Sequence, residues 1–323
     1  MPAAERFARA RNQLPSSTEG PISTVMLSGI TLFIIAASYL ITLGLEIARI
    51  FVRARSRAVF SLGFAVLGLI AHTLYLIGEQ RGLIESGPIS SWHQWCLMAA
   101  WVLVSLYVIA AFAQPGTSLG LFLLPMVLLL VGVAYLMDRV APFATSTSTE
   151  NWAVIHGTAL LAGTVVVMLG FVTGIMYLIQ SYRLKHKMLA NEGFKLPSLE
   201  WLEITNRRAL IVSTCLLAGG LFAGILLKIN HNSFPWTDPV IWSSAILFLW
   251  LVATMIFELA YRPARRGQKV AYLTMANFVF LAFVLGLVLF GPSQHARNSP
   301  PSADAKPALK SSREVGGTRS VIR

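Results

Sequence analysis

Apolar residues along the chain gather in eight runs separated by short polar or basic stretches. The runs are roughly Ile22 to Ala48, Ala58 to Gly78, Trp92 to Ala113, Leu119 to Met137, Trp152 to Tyr182, Ala209 to Lys228, Val240 to Tyr261 and Val270 to Phe290. Each is about as long as the ~20 helical residues that cross a bilayer core. The runs are continuously apolar and lack the alternation that a barrel wall needs, so helices satisfy the backbone within the membrane. The pattern predicts an all-α fold, a polytopic membrane helix bundle of about eight transmembrane helices over 22–290. A polar tail, 1–21, precedes it, and a basic Ser/Pro-rich tail, 291–323, follows and reads as disordered. Short connectors join the second, third and fourth runs, so these neighbours are expected to pack antiparallel. Gly63 and Gly68, Gly170 and Gly174, and Gly220 and Gly224 put small residues where helices can approach closely.

Composition agrees: 55% of the 323 residues are apolar and 12% charged, with a mean hydropathy of +0.66, which excludes an ordinary soluble domain. The first apolar run is too long for a secretory h-region, so helix one is expected to remain in the protein.

Loop charge sets the orientation. Arg49, Arg53, Arg55 and Arg57 follow the first run, Arg183, Lys185, Lys187, Lys195, Arg207 and Arg208 the fifth, and Arg262, Arg265, Arg266 and Lys269 the seventh. The opposite loops carry only Arg81, Arg139 and Lys228. The basic loops are therefore expected in the cytoplasm and both termini outside, although Arg6, Arg9 and Arg11 before the first run pull the other way. These loops and the tail account for the net charge of +12, so no nucleic acid partner is implied; the basic surface belongs beside a lipid bilayer.

So oriented, His72, His93, His156, His231 and His295 fall at or near the outer end of the helices. An intramembrane imidazole is costly and usually functional, and histidines collected on one rim suggest a metal or haem there. His72 lies about six residues, or ~9 Å, inside the outer end of its run, where a hydrogen bond to a neighbouring helix explains it as well as a ligand role. His93 and His231 stand at solvent boundaries and read as surface or snorkelling residues. His186, among Arg183, Lys185 and Lys187, reads as part of a solvated basic face. Cys96 and Cys215 lie singly within helices, so they read as packing residues, with no C-x-x-C relay and no C-x-x-C-H haem attachment. Glu46 can pair with Arg49 three residues on, and Glu258 with Arg262 four residues on. No Ser/His/Asp order, H-E-x-x-H or phosphate-binding glycine loop is present.

The most distinctive sequence starts at Ile155-His156-Gly157. It continues through Gly174-Ile175-Met176-Tyr177-Leu178-Ile179-Gln180 and Tyr182-Arg183-Leu184-Lys185-His186-Lys187 to Leu196-Pro197-Ser198-Leu199-Glu200. Arg207 or Arg208 then opens the next apolar run, which ends in a half rich in glycine at Gly219, Gly220 and Gly224. This succession resembles the CcsA family of cytochrome c assembly proteins, with its ResC and HemX-like relatives, best over 152–291. Between the second and third runs, Gly87-Pro88-Ile89-Ser90-Ser91-Trp92 resembles the family's Gly-His-x-Pro-Leu-Ser-Asn segment without its histidine.

The resemblance implies haem handling at the outer face of a bacterial inner membrane. A tryptophan-rich platform would lie between helices six and seven, here His231-Asn232-Ser233-Phe234-Pro235-Trp236-Thr237-Asp238-Pro239-Val240-Ile241-Trp242, and outer histidines would bind the iron. The segment keeps Trp-x-Asp-Pro and a following tryptophan; the upstream Trp-Gly and the Lys-Glu after the proline are absent. Trp236 and Trp242 would cover the porphyrin face and Asp238 would belong to the platform. The plainer reading is that both tryptophans anchor helix ends in the headgroup belt. His156 and His295 match the two outer axial positions, and His72 is a further candidate. Glu258 stands where the family has a histidine near the inner end of helix seven.

The function implied is transient binding of haem b and its presentation to apocytochrome c, with a separate CcsB/ResB-like membrane partner, as part of a holocytochrome c synthase complex. Two alternatives stay open: a HemX-like protein influencing haem biosynthesis without productive ligation, and a small-molecule transporter, for which intramembrane charges beyond Glu46 and Glu258 are missing.

Overall fold

A computed structural model of the chain describes residues 21–51, 55–82, 91–114, 116–138, 151–187, 194–230, 239–260 and 267–290. Among these residues there is no strand, and eight helices account for nearly all of them. They are α1 (Pro21–Phe51), α2 (Arg55–Gly82), α3 (Trp92–Ala113), α4 (Gly120–Met137), α5 (Asn151–Lys185), α6 (Leu199–Asn230), α7 (Pro239–Ala260) and α8 (Gly267–Phe290). All eight are long and apolar enough to cross a membrane, so this is a multi-pass membrane protein.

Local chemistry sets the helix starts. Ser91 caps α3 by accepting a hydrogen bond from the Gln94 backbone N at 3.2 Å. Ser198 does the same for α6, accepting from the Trp201 N at 3.3 Å, with Glu200 in the first turn where the helix dipole favours a negative charge. That cap starts α6 ten residues before the apolar run at Ala209. Arg207 and Arg208, expected in a loop, are therefore helical.

The helices pack as two groups. In the first, α1 lies against α2 and α4, and α3 against α2 and α4; in the second, α5 lies against α6 and α8, and α7 against α6 and α8. Contacts of α3 and α4 with α5 join them. Leu97, Leu103, Val104, Leu124, Val127 and Met176 fill the main core, which runs through that junction, and a smaller core of Val167, Leu217, Leu247, Leu251 and Leu281 fills the second group. The outward-facing side chains are apolar as well, among them Phe33, Phe112, Phe222 and Phe283, as a lipid-facing surface requires.

Close approach is strongest between α5 and α6. Their antiparallel register sets Leu217 into the notch at Gly163 and Leu160 into the notch at Gly220. A Cβ at either glycine would lie within 3 Å of the leucine side chain and 3.2 Å from its backbone N. Gly68 receives Tyr39, Gly170 lies against Ala209, and Gly174 against Thr274, whereas Gly63 meets nothing within 4 Å and carries no such contact.

Four contacts gather the basic connectors at one end of the bundle. Arg49 donates to the Thr117 carbonyl (3.3 Å), the Ser118 N to the Lys195 carbonyl (2.8 Å), Arg183 to the Phe194 carbonyl (3.3 Å) and Gln268 to Ser181 Oγ (2.9 Å). Arg183 also sits over the Phe194 ring, 5.3 Å from its centroid.

Candidate functional site

The opposite end carries the histidines at helix starts. His156 lies in the second turn of α5, one α-helical turn before Leu160 and on the same face. Its Nδ1 is 2.7 Å from the Gly220 carbonyl oxygen of α6, and its ring fills the notch at Gly224, where a Cβ would stand 2.7 Å from both Cε1 and Nδ1. The imidazole therefore continues the seam made by Leu160 at Gly220 and Leu217 at Gly163, and it is partly buried rather than free at a helix end.

His93, expected at the surface, is buried. Its Nδ1 donates to the Ala134 carbonyl of α4 at 2.8 Å and its Nε2 accepts from the Tyr75 hydroxyl of α2 at 3.3 Å, with Asp138 Oδ1 3.8 Å from Nδ1. It is a polar tie among three helices. Burying an imidazole requires this, because an unbonded polar group would cost about 1–3 kcal/mol.

His72 is fully buried in α2. Its Nδ1 lies 3.1 Å from the hydroxyl of Tyr39 in α1, and no hydrogen-bond partner meets Nε2 among the described residues. α2 continues past the apolar run to Gly82, so His72 is ten residues from the helix end rather than six. His72 and His156 belong to different helix pairs, and the helices do not gather them into one site. His186 is exposed, as its place in a basic stretch implies, and its ring lies tilted against that of Tyr182 with centroids 4.1 Å apart.

Of the expected platform, Trp242 lies one turn into α7 and is exposed. Trp236, Asp238, His231 and His295 lie outside the described residues. Among the described residues no group of three or more His, Cys, Asp or Glu comes together as a metal cluster.

Two buried carboxylates, Glu46 and Glu258, meet side chains of other helices. Glu46 Oε1 accepts from Ser61 Oγ at 2.8 Å and the Tyr107 hydroxyl at 3.2 Å, and lies 3.5 Å from Arg49, the partner its spacing predicts. For Glu258 the sequence points to Arg262, which lies outside the described residues; the structure adds Arg207 of α6, whose Nε is 3.0 Å from Glu258 Oε1. Beside that pair, Asn206 is fully buried, and its amide, oriented to suit its neighbours, bonds Gly170 O, Thr274 Oγ1 and the Ala271 N at 3.0–3.2 Å. Sequence reading missed Asn206 and gave Arg207 no partner because the charges in Leu199–Arg208 remove the stretch from any apolar run. Cys96 is buried as expected, but Cys215 faces outward from the bundle and packs no core.

The chain is 24% identical over 263 residues to the cytochrome c biogenesis protein CcsA of Guillardia theta, covering 74% of this chain and 86% of that relative. No solved structure matches it. The model of the cytochrome C assembly protein family matches residues 89–292, from just before α3 to just past α8. With well over half of its length so matched, this chain belongs to the cytochrome c assembly protein family.

Proposed function

We propose that this protein binds haem b transiently at the outer face of a bacterial inner membrane and presents it to apocytochrome c, together with a separate CcsB/ResB-like membrane partner. Family membership gives the coarser statement, a role in cytochrome c biogenesis. The observation that carries the finer one is His156, held near the start of α5 by the Gly220 carbonyl at the end of the bundle away from the basic connectors.

Haem suits what is there. Its iron takes neutral imidazole as an axial ligand, and its broad apolar face favours aromatic cover in a low-dielectric rim. His156 and His295 would be the axial pair, with Trp236, Trp242 and Asp238 forming the platform between them in sequence. His72, whose Nε2 meets no hydrogen-bond partner among the described residues, is the next ligand in line. When bound, haem would supply vinyl groups whose C=C bonds can take up the cysteine thiols of a C-x-x-C-H peptide, sulfur adding to one carbon and the proton to the other as the π bond is lost. The protein's part is to orient the porphyrin and leave an edge open to the peptide.

The incomplete tryptophan segment favours a second reading, a HemX-like role in haem biosynthesis without productive ligation. A transporter finds no support in Glu46 or Glu258, since each is engaged by side chains of neighbouring helices. Deleting the gene distinguishes the two haem readings. Presentation predicts loss of holocytochrome c with apocytochrome still made and b-type cytochromes intact. A biosynthetic role predicts altered haem precursors and a fall in both cytochrome types.

A further inference from the structure

Tryptophan in membrane proteins gathers at the headgroup level, where the indole N–H meets water. Trp250 lies instead at the middle of α7, ten residues or ~15 Å from the helix end at Ala260. Its Nε1 donates to Asn277 Oδ1 of α8 at 2.7 Å, and Asn277 is only 2% exposed. A buried amide is costly in an apolar interior unless it is bonded, and here the bond holds one indole in place. The indole runs parallel to the Phe280 ring, with planes 10° apart and centroids 6.0 Å apart. With Met275, Ala276, Val279 and Phe283, the two rings line an apolar groove of about 500 Å³ that is open at the surface of the bundle.

The groove continues into a polar end. At steps of three and four residues, the face of α8 that carries Phe283, Val279 and Ala276 runs back to Tyr272 and Lys269, both exposed. Lys269 stands in the first turn of α8, where the helix dipole also favours an anion. Its neighbour Gln268 bonds Ser181, which puts it at the end where the basic connectors gather. An ammonium carries three donors, so Lys269 can serve a phosphate and other acceptors together. From Lys269 to Val279 is ten residues or ~15 Å, half of the ~30 Å hydrocarbon core. A phospholipid of one leaflet has these parts at this spacing, a phosphate at the headgroup and an acyl chain that reaches the midplane. A further helix, ~10 Å across, would need roughly 900 Å³ over the ~12 Å from Met275 to Phe283, so the groove is too small to take one.

We propose that the groove between α7 and α8 binds one anionic phospholipid of the leaflet beside the basic connectors, its phosphate at Lys269 and the Tyr272 hydroxyl and an acyl chain along Trp250 and Phe280. The bound lipid braces α7, the least buried of the eight spans, which packs only on α6 and α8 among the described helices. This site is independent of any haem at the opposite end of the bundle.

The test uses the full-length protein in detergent, titrated with phosphatidylglycerol or phosphatidylcholine carrying the same brominated chains. Quenching of Trp250 is read as the difference between wild type and Trp250→Phe. Phosphatidylglycerol should quench at a concentration about fivefold lower than phosphatidylcholine. Lys269→Gln should weaken the phosphatidylglycerol response about fivefold, the effect of one lysine on an anionic lipid, and leave phosphatidylcholine unchanged. Lys185→Gln removes another exposed cation and should change neither. Ala276→Phe fills the groove and should abolish the response with Lys269 intact; if that variant fails to fold, Lys269→Gln decides. Equal quenching by the two lipids, or no effect of Lys269→Gln, would reduce the contact to ordinary bilayer lipid and overturn the inference. Displacement of the lipid by haem, or a dimer that Ala276→Phe dissociates, would overturn it as well, because another occupant would then hold the groove.

Discussion

Arg207 Nε lies 3.0 Å from Glu258 Oε1, an ion pair that ties the start of α6 to the end of α7. Glu258 is fully buried while the arginine side chain is 40% exposed, so the pair sits at the edge of the packed interior. Glu258→Gln should lower stability by about 1–3 kcal/mol, less than the loss for a pair buried on both sides because Arg207 keeps access to polar surroundings. A double-mutant cycle with Arg207→Met, read by unfolding in mixed micelles, should give a coupling of about 0.5–3 kcal/mol. The haem spectrum should not change, since a paired carboxylate is a poor substitute for imidazole at iron. Loss of haem from folded Glu258→Gln protein would place a ligand site at that inner end.

Tyr39→Phe should destabilise the first helix group by about 1–3 kcal/mol, because it leaves Nδ1 of a fully buried imidazole without its hydroxyl partner. The midpoint of thermal unfolding in detergent should fall. Gly68→Ala should act in the same direction, since its Cβ would stand 2.8 Å from Tyr39 Cε1.

Ser61→Ala and Tyr107→Phe each remove a donor from the same oxygen of Glu46. Each should cost about 1.5–3 kcal/mol, the range for a hydrogen bond to a charged group. The double variant should depart from the sum by about 0.5 kcal/mol or more because both serve one acceptor. Equal and additive losses would mean that the two hydroxyls act independently.

Apolar periodicity recovered every span, and the α3 run, Trp92 to Ala113, coincides with its helix. It did so because hydrocarbon length and backbone satisfaction leave a membrane chain few choices. It stopped short at α6, where Glu200, Glu203, Arg207 and Arg208 end the apolar run although Ser198 caps a continuous helix. The i,i+3 pair of Glu46 and Arg49 was legible because both partners share one helix face. The partners of His93, His72 and Glu258 were not, because Ala134, Tyr39 and Arg207 belong to other helices and only packing brings them near. His156 was singled out by its motif, but nothing in the sequence tied Gly224 to its ring.

Topology can be checked independently of haem. A reporter active only outside the cytoplasm should work when fused after Gly291 and fail when inserted within Lys185 to Lys195, because the loops that carry most of the basic residues should stay inside. The reverse pattern would put His156 on the cytoplasmic face and remove the geometry for presenting haem outside.

The most direct measurement is the absorbance spectrum of the full-length protein purified in detergent from haem-replete cells. Presentation at the outer rim predicts a Soret band in the wild type, weakened in both His156→Gly and His295→Gly and partly restored in each by imidazole, which fills the vacant axial position. A Soret band unchanged in both variants would move the ligand to His72, and wild-type protein with no Soret band at all would contradict the account.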